Sequence, residues 1–169
     1  MFAVSLIFSG IAFFLNGFLP LVEENDNKEI VVMNVLSGII VTVLSIVGII
    51  TSTVTGLYLA YSTLLLFGIT HLYISAICIW DLSEQALGWF SALLAVITLA
   101  VGLYYIFAGN LMLGVMWLVW MLIWVAYFVS RALDVLHTAS SWVIMLEGII
   151  ALCAVGILII TNFVSFNFA

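Results

Sequence analysis

The chain has 169 residues, 67% of them hydrophobic and 6% charged, with a formal net charge of −6. No soluble fold of this size hides so much apolar surface, and an acidic chain with two basic residues offers no nucleic-acid surface. Barrel strands would alternate in polarity over about 10 residues, whereas these apolar runs reach the roughly 20 residues of a membrane-spanning helix. The expected class is an all-α integral membrane protein.

Charged and turn residues divide the chain into six apolar segments, roughly 1–21, 29–51, 54–79, 86–107, 111–131 and 140–162, read as one channel domain over 1–169. The first segment has no basic leader and no small-residue cleavage site, and it carries Asn16 and Pro20, so it reads as a retained helix. "EENDNKE", "STVTG", "DLSEQ", "AGN" and "RALDVLHTASS" separate the segments, and such short links make consecutive helices pack as hairpins. The second separator is the weakest boundary, and a five-helix division that breaks there differently stays open. Lys28 and Arg131 fall in loops one and five, together with most of the acids. Basic residues mark the cytoplasmic side, so both termini should face outward. Cys78 and Cys153 lie inside apolar runs and read as packing residues; no metal, cofactor or nucleotide signature is present.

The informative residues are polar groups placed where they are costly. Glu147, in "WVIMLEGII", is the one charged residue type inside a span, at a cost of a few kcal/mol. His71, in "FGITHLY", is the second candidate. Counted from the charged end at about 1.5 Å per residue, Glu147, His71 and Trp124 lie about 10 to 12 Å deep and Asn16 and Asn34 about 7 to 8 Å. Five polar-tipped side chains from five helices thus share one slab of membrane. They offer acceptors and donors together, which suits a small neutral polar solute better than an ion.

The fifth segment contains "MWLVWMLIWVAYF". Trp117, Trp120 and Trp124 stand at i, i+3 and i+7, on one helix face and over about 10 Å of depth, too deep to be an interfacial belt. Such a ladder either fills a helix interface or lines a narrow path, where indole N–H groups donate to a carbonyl passing edge-on. Phe67 and His71, and Phe2, Leu6 and Phe13, recur at helical spacings that ordinary cores also show.

"WLVWMLIW", followed about 20 residues later by "WVIMLEG", resembles the urea channel/amide transporter (UreI/AmiS) family. "LLFGITHLY" is similar to that family's third helix, usually written LLFGFTYLY, and "VMN" at 32–34 and "NG" at 16–17 match in place. The resemblance covers nearly the whole chain. It implies a six-helix protomer of three hairpins in the bacterial cytoplasmic membrane, both termini outside, assembled as a homohexamer with a pore in each protomer. It also implies passive passage of urea, with short amides as further permeants and a cytoplasmic urease or amidase as the working partner. The pore positions carry over to Trp117, Trp120, Ile123 and Trp124, to Phe67 and His71, to Phe2, Leu6 and Phe13, and to Glu147; Asn16 and Asn34 support them. His71 departs from the pattern, since the family's acid-gated member has Tyr there. That member's long histidine-rich outer loop is also missing: the corresponding link is "STVTG", so no gating by external acid is expected. A proton-coupled carrier using Glu147 and His71, and a structural subunit without transport, are the competing readings. No nucleophile–base set points to an enzyme.

Overall fold

The computed structural model describes residues 1–22, 27–166 and 168, so Glu23, Glu24 and Asp26 of the first charged loop lie outside the described residues. Six helices are long and apolar enough to cross a bilayer, and no strand occurs among the described residues. Helix α1 is Phe2–Phe18, ending in a tighter 3-10 turn at Leu19–Leu21. Helices α2, α3 and α4 are Asn27–Thr51, Thr55–Trp80 and Glu84–Phe107. Helix α5 is Leu111–Tyr127, running into a π-helical turn at Phe128–Ala132. The last span, α6, starts as α-helix over His137–Leu146, widens to π-helix over Glu147–Ala154 and closes as α-helix over Val155–Ile160.

Local chemistry explains the breaks. Between α2 and α3, Thr51 Oγ1 donates back to Val47 O at 2.8 Å and Ser52 Oγ to Gly48 O, local side-chain bonds that compete with the helical ladder where it ends. Asp81 ends α3 in the left-handed conformation (φ 51°), and the Leu82 N–H returns to Ile77 O at 3.1 Å. Ser83 caps α4 by accepting from the Gln85 N–H, and Asn110 caps α5 by accepting from the Leu113 N–H at 3.1 Å.

Helices α2 and α3 pack along each other, as do α4 and α5, and the two ends of the chain pair as α1 with α6. Helix α1 also meets α2, α5 meets α6, and α3 meets α4 lightly, which closes a ring. Glycines bring the α1 and α6 backbones together. A Cβ on Gly10 would stand 2.5 Å from Gly148 O and from Cys153 Sγ, and one on Gly148 would stand 2.6 Å from Gly10 O. Gly17 meets Met145 and Gly156 meets Ile7 in the same way. These glycines recur every seven or eight residues, so the interface is built of small residues with no GxxxG in the sequence. Helices α2 and α4 instead turn apolar stripes outward, among them Leu36, Val43 and Ile50, and Trp89, Leu93 and Val96.

Candidate functional site: an aromatic column between three helices

Inside the ring, three helices present faces with one shared period. On α1 the buried series is Phe2, Leu6, Ser9, Phe13 and Asn16. On α3 it is Leu64, Phe67, His71 and Ile74, and on α5 it is Leu113, Trp117, Trp120, Trp124 and Tyr127. Each series alternates steps of three and four, the seven-residue rhythm that keeps one face toward a common axis. No Cα of α5 comes within 8 Å of one in α1 or α3. The rings of those helices nonetheless meet, so side chains fill the middle.

The filling is a column of aromatic rings. At the end that holds the termini, Phe2 packs edge-on against Phe168 (5.2 Å between centroids) and Tyr61 (6.1 Å). Its backbone N–H donates to Tyr61 Oη at 3.1 Å. Phe2 leads to Trp120 (6.3 Å), Trp120 to Phe67 (6.5 Å), and Phe67 to Trp124 (4.8 Å). Phe13 then meets Trp124 at 6.0 Å, His71 at 4.5 Å and Tyr127 at 6.1 Å. Most contacts are edge-to-face, the arrangement that the ring quadrupole favours. Leu6 and Ile123 complete the column as fully buried aliphatic side chains of the same core.

Below Phe13 the column gives way to polar groups. Asn16 and Asn34 exchange two amide hydrogen bonds, Asn16 Nδ2 to Asn34 Oδ1 at 3.1 Å and Asn34 Nδ2 to Asn16 Oδ1 at 2.6 Å. Asn34 Nδ2 also donates to Ile30 O at 2.8 Å, and His71 Nδ1 lies 3.0 Å from Asn34 Oδ1. A cavity of about 240 Å³ then runs to the charged end, lined by Asn16, Ile74, Cys78 and Tyr127, with Arg131 and Glu84 also on its wall. Arg131 Nη1 pairs with Glu84 Oε2.

Every candidate read from the sequence is buried, none more than 8% exposed. The structure joins Asn16, Asn34 and His71 and sets Trp124 beside the same phenylalanine as His71. It does not bring Glu147 into that group: Glu147 Oε2 is buried with no partner, and no hydrogen bond links it to the cluster. Equal depth places it level with His71, but depth says nothing about rotation around the helix. The tryptophan stripe also divides. Trp120 Nε1 donates to Ala151 O at 2.9 Å and is not free, whereas Trp117 Nε1 and Trp124 Nε1 are buried without a partner. Tyr127 and Arg131 extend the stripe at i+10 and i+14 from Trp117; the seven-residue period carried that signal in the sequence. Among the described residues no group of three His, Cys, Asp or Glu side chains is placed to hold a metal.

The model of the AmiS/UreI family of transporters matches residues 1–163. The chain belongs to this family. A protein of Mycolicibacterium smegmatis described as a transporter of amidate substrates is 32% identical over 106 residues, 61% of this chain and 50% of its own length. The transporter protein AmiS2 of Rhodococcus erythropolis is 30% identical over 135 residues, 79% of this chain and 65% of its own length. The chain thus spans between half and two thirds of the curated relatives it matches. Two structures of the Helicobacter pylori urea channel, one by cryo-electron microscopy in a closed state and one by crystallography, superpose with TM-scores of 0.85 at 22% and 24% identity. Each match covers 98% of this chain and 100% of the other, and establishes the fold. This AmiS/UreI chain is accordingly a multi-pass protein of the bacterial cytoplasmic membrane, in a transporter fold shared with a urea channel. The family match ends before Phe166 and Phe168, which lean on Phe2 from the segment that follows.

Proposed function

We propose that this chain is a passive channel for urea and short aliphatic amides, with the path running along the axis shared by α1, α3 and α5. One observation carries the reading. An otherwise apolar column holds buried, unpartnered Nε1 atoms on Trp117 and Trp124 and an unpartnered Nε2 on His71. Buried polar atoms in folded proteins are overwhelmingly hydrogen-bonded, and these rigid ring nitrogens, unlike the serine and threonine hydroxyls also left unpartnered on α1 and α2, cannot turn to a carbonyl of their own helix. A flat neutral molecule with its own donors and acceptors supplies the missing partners. Rings of carbonyls or charges, which select ions, do not line the column.

The pore positions under this reading are Phe2, Leu6 and Phe13, Phe67 and His71, and Trp117, Trp120, Ile123 and Trp124. Tyr127 is added at the vestibule, while Asn16 and Asn34 brace His71. Glu147 enters as a flanking acceptor rather than as half of a proton relay with His71. The charged end, with Arg131 and Glu84 at its cavity, is the cytoplasmic end, and both termini lie outside. The other outward links are 52–54 and 108–110; they contain no histidine, which supports conduction independent of external acid. The outward stripes of α2 and α4 face lipid or neighbouring copies in a ring of six, and a cytoplasmic urease or amidase consumes what enters.

Stopped-flow uptake into proteoliposomes tests this. Urea and acetamide should enter faster than into protein-free vesicles, stop at equal concentrations on both sides and ignore an imposed proton gradient. Accumulation against the solute gradient, or a several-fold rise at outer pH 5 over pH 7.5, would sink the passive, ungated reading.

A further inference from the structure

The two ring nitrogens of His71 stand in different situations. Nδ1 lies 3.0 Å from Asn34 Oδ1, and Nε2 is wholly buried without a partner. A neutral imidazole has one N–H donor and one bare acceptor nitrogen. Which nitrogen holds the proton is decided two residues away. Ile30 O can only accept, so the Asn34 atom 2.8 Å from it must be the amide nitrogen. The other atom of that amide, the one facing His71, is then the oxygen. Asn16 reinforces the assignment, donating to that oxygen at 3.1 Å and accepting from the Asn34 nitrogen at 2.6 Å. An oxygen facing Nδ1 requires the proton on Nδ1, since tautomers follow from the network around them. Nε2 is left as a lone pair.

We infer that His71 Nε2 is a fixed hydrogen-bond acceptor that selects permeants bearing an N–H, with Asn34 and Asn16 as the positioning residues that set its tautomer. This rests on the channel reading above and names its selective contact. The second contact we assign is Trp124 Nε1, a donor that is also buried and unpartnered. Both rings pack on Phe13, His71 at 4.5 Å and Trp124 at 6.0 Å. A primary amide offers its carbonyl to the indole N–H and its N–H to His71 on one flat frame. An N,N-dialkyl amide can satisfy only Trp124 and leaves the imidazole lone pair desolvated. A site built on a placed hydrogen bond rejects the analogue that lacks it far more strongly than a size filter does.

Two measurements decide it on the full-length protein in bilayers. The chain has two histidines, His71 and His137, so 15N-histidine spectra are assigned by the signal lost in His71→Phe. The wild type should show His71 protonated at Nδ1 and bare at Nε2. The Nε2 signal should shift on adding acetamide and stay still with N,N-dimethylacetamide, and Asn34→Leu should spread His71 over both tautomers. In flux, isobutyramide and N,N-dimethylacetamide have equal heavy-atom counts. Wild type should favour isobutyramide at least ten-fold, and His71→Phe should bring the two rates within about two-fold. A protonated Nε2, an Nε2 signal indifferent to acetamide, or equal wild-type rates would overturn the inference while urea uptake still upheld the channel. Absence of urea and acetamide uptake would overturn the channel itself, and the spectra would still report the tautomer.

Discussion

Trp120 and Ala151 are tied by a 2.9 Å hydrogen bond from the indole N–H to a carbonyl of the π-helical stretch, joining α5 to α6. Trp124, one turn further along the same face, has an indole N–H with no partner. Both rings line the proposed path, but the Trp120 N–H is spent on bracing α6 and the Trp124 N–H is left for a permeant. Trp120→Phe should lower stability by about 0.6 kcal/mol and by no more than about 1.7, the average and the maximum for interhelical hydrogen bonds in membranes, while its phenyl ring keeps the wall of the path aromatic and urea flux within about two-fold of wild type. Trp124→Phe should leave the unfolding temperature in place and cut urea flux at least five-fold. Thermal unfolding in detergent and stopped-flow uptake read the two effects separately. Equal behaviour of the two variants in both measurements would refute the division.

The Asn16–Asn34 pair should behave as one unit. Asn16→Leu leaves the Asn34 amide short of two partners, at a cost of about 1–3 kcal/mol for buried groups left unsatisfied. Asn34→Leu should cost a similar amount. The double variant should lose less than the sum by more than about 0.5 kcal/mol, the signature of groups in direct contact. Additive losses would mean that the two amides do not pair.

The six spans follow from apolar length except at the uncharged "STVTG" boundary, where a five-helix division stays open until the structure ends α2 at Thr51 and starts α3 at Thr55; the tryptophan stripe follows from its spacing of three and four, and both are properties of one helix. Partners are properties of two. Asn16 and Asn34 fall at similar depth, yet nothing in the chain says that their side chains point at each other. Glu147 falls level with His71 and has no bond to it, because depth leaves rotation free. Tyr127 and Arg131 are legible in principle, but an apolar-stretch reading stops at polar tips, and only the seven-residue period connects them to Trp117. The π-helical stretch at Glu147–Ala154 has no proline to announce it; packing of α6 against α1 and Trp120 surrounds it.

The α1–α6 interface gives a stability test. A methyl at Gly148 would meet Gly10 O and Phe14 N at 2.6 Å, both backbone atoms that cannot step aside. Gly148→Ala should destabilise the protein by about 1–3 kcal/mol, as overpacking of a tight interface does. Gly109 is the contrast. A methyl added there would meet nothing within 4 Å, but the backbone has a φ of +85°. Gly109→Ala should therefore cost about 1–2 kcal/mol through backbone strain alone. Detergent melting curves compare the two, and flux should fall only where α6 shifts, in Gly148→Ala.

Cys78 offers a probe of direction. It is a free thiol on the wall of the cavity at the charged end, whereas Cys153 donates to Ile7 O between α1 and α6. A membrane-impermeant thiol reagent trapped inside oriented vesicles, facing the cytoplasmic surface, should slow urea flux at least three-fold. The same reagent outside should have little effect, and Cys78→Ser should abolish the block. Inhibition from the outer face alone would invert the proposed orientation.

The faces of α1, α3 and α5 repeat every seven residues, while a straight α-helix needs 3.6 residues per turn. That mismatch amounts to about 20° per heptad, so helices that keep such faces on one axis wind around it in a left-handed sense. On the proposed path, rungs one seven-residue repeat apart, about 10 Å, are therefore rotated relative to one another. A plate-shaped solute must turn as it advances, and the passage acts as a thread rather than a bore. Small plates such as urea can reorient between rungs. A rigid flat molecule long enough to span two of them would jam, even if its cross-section fitted each one.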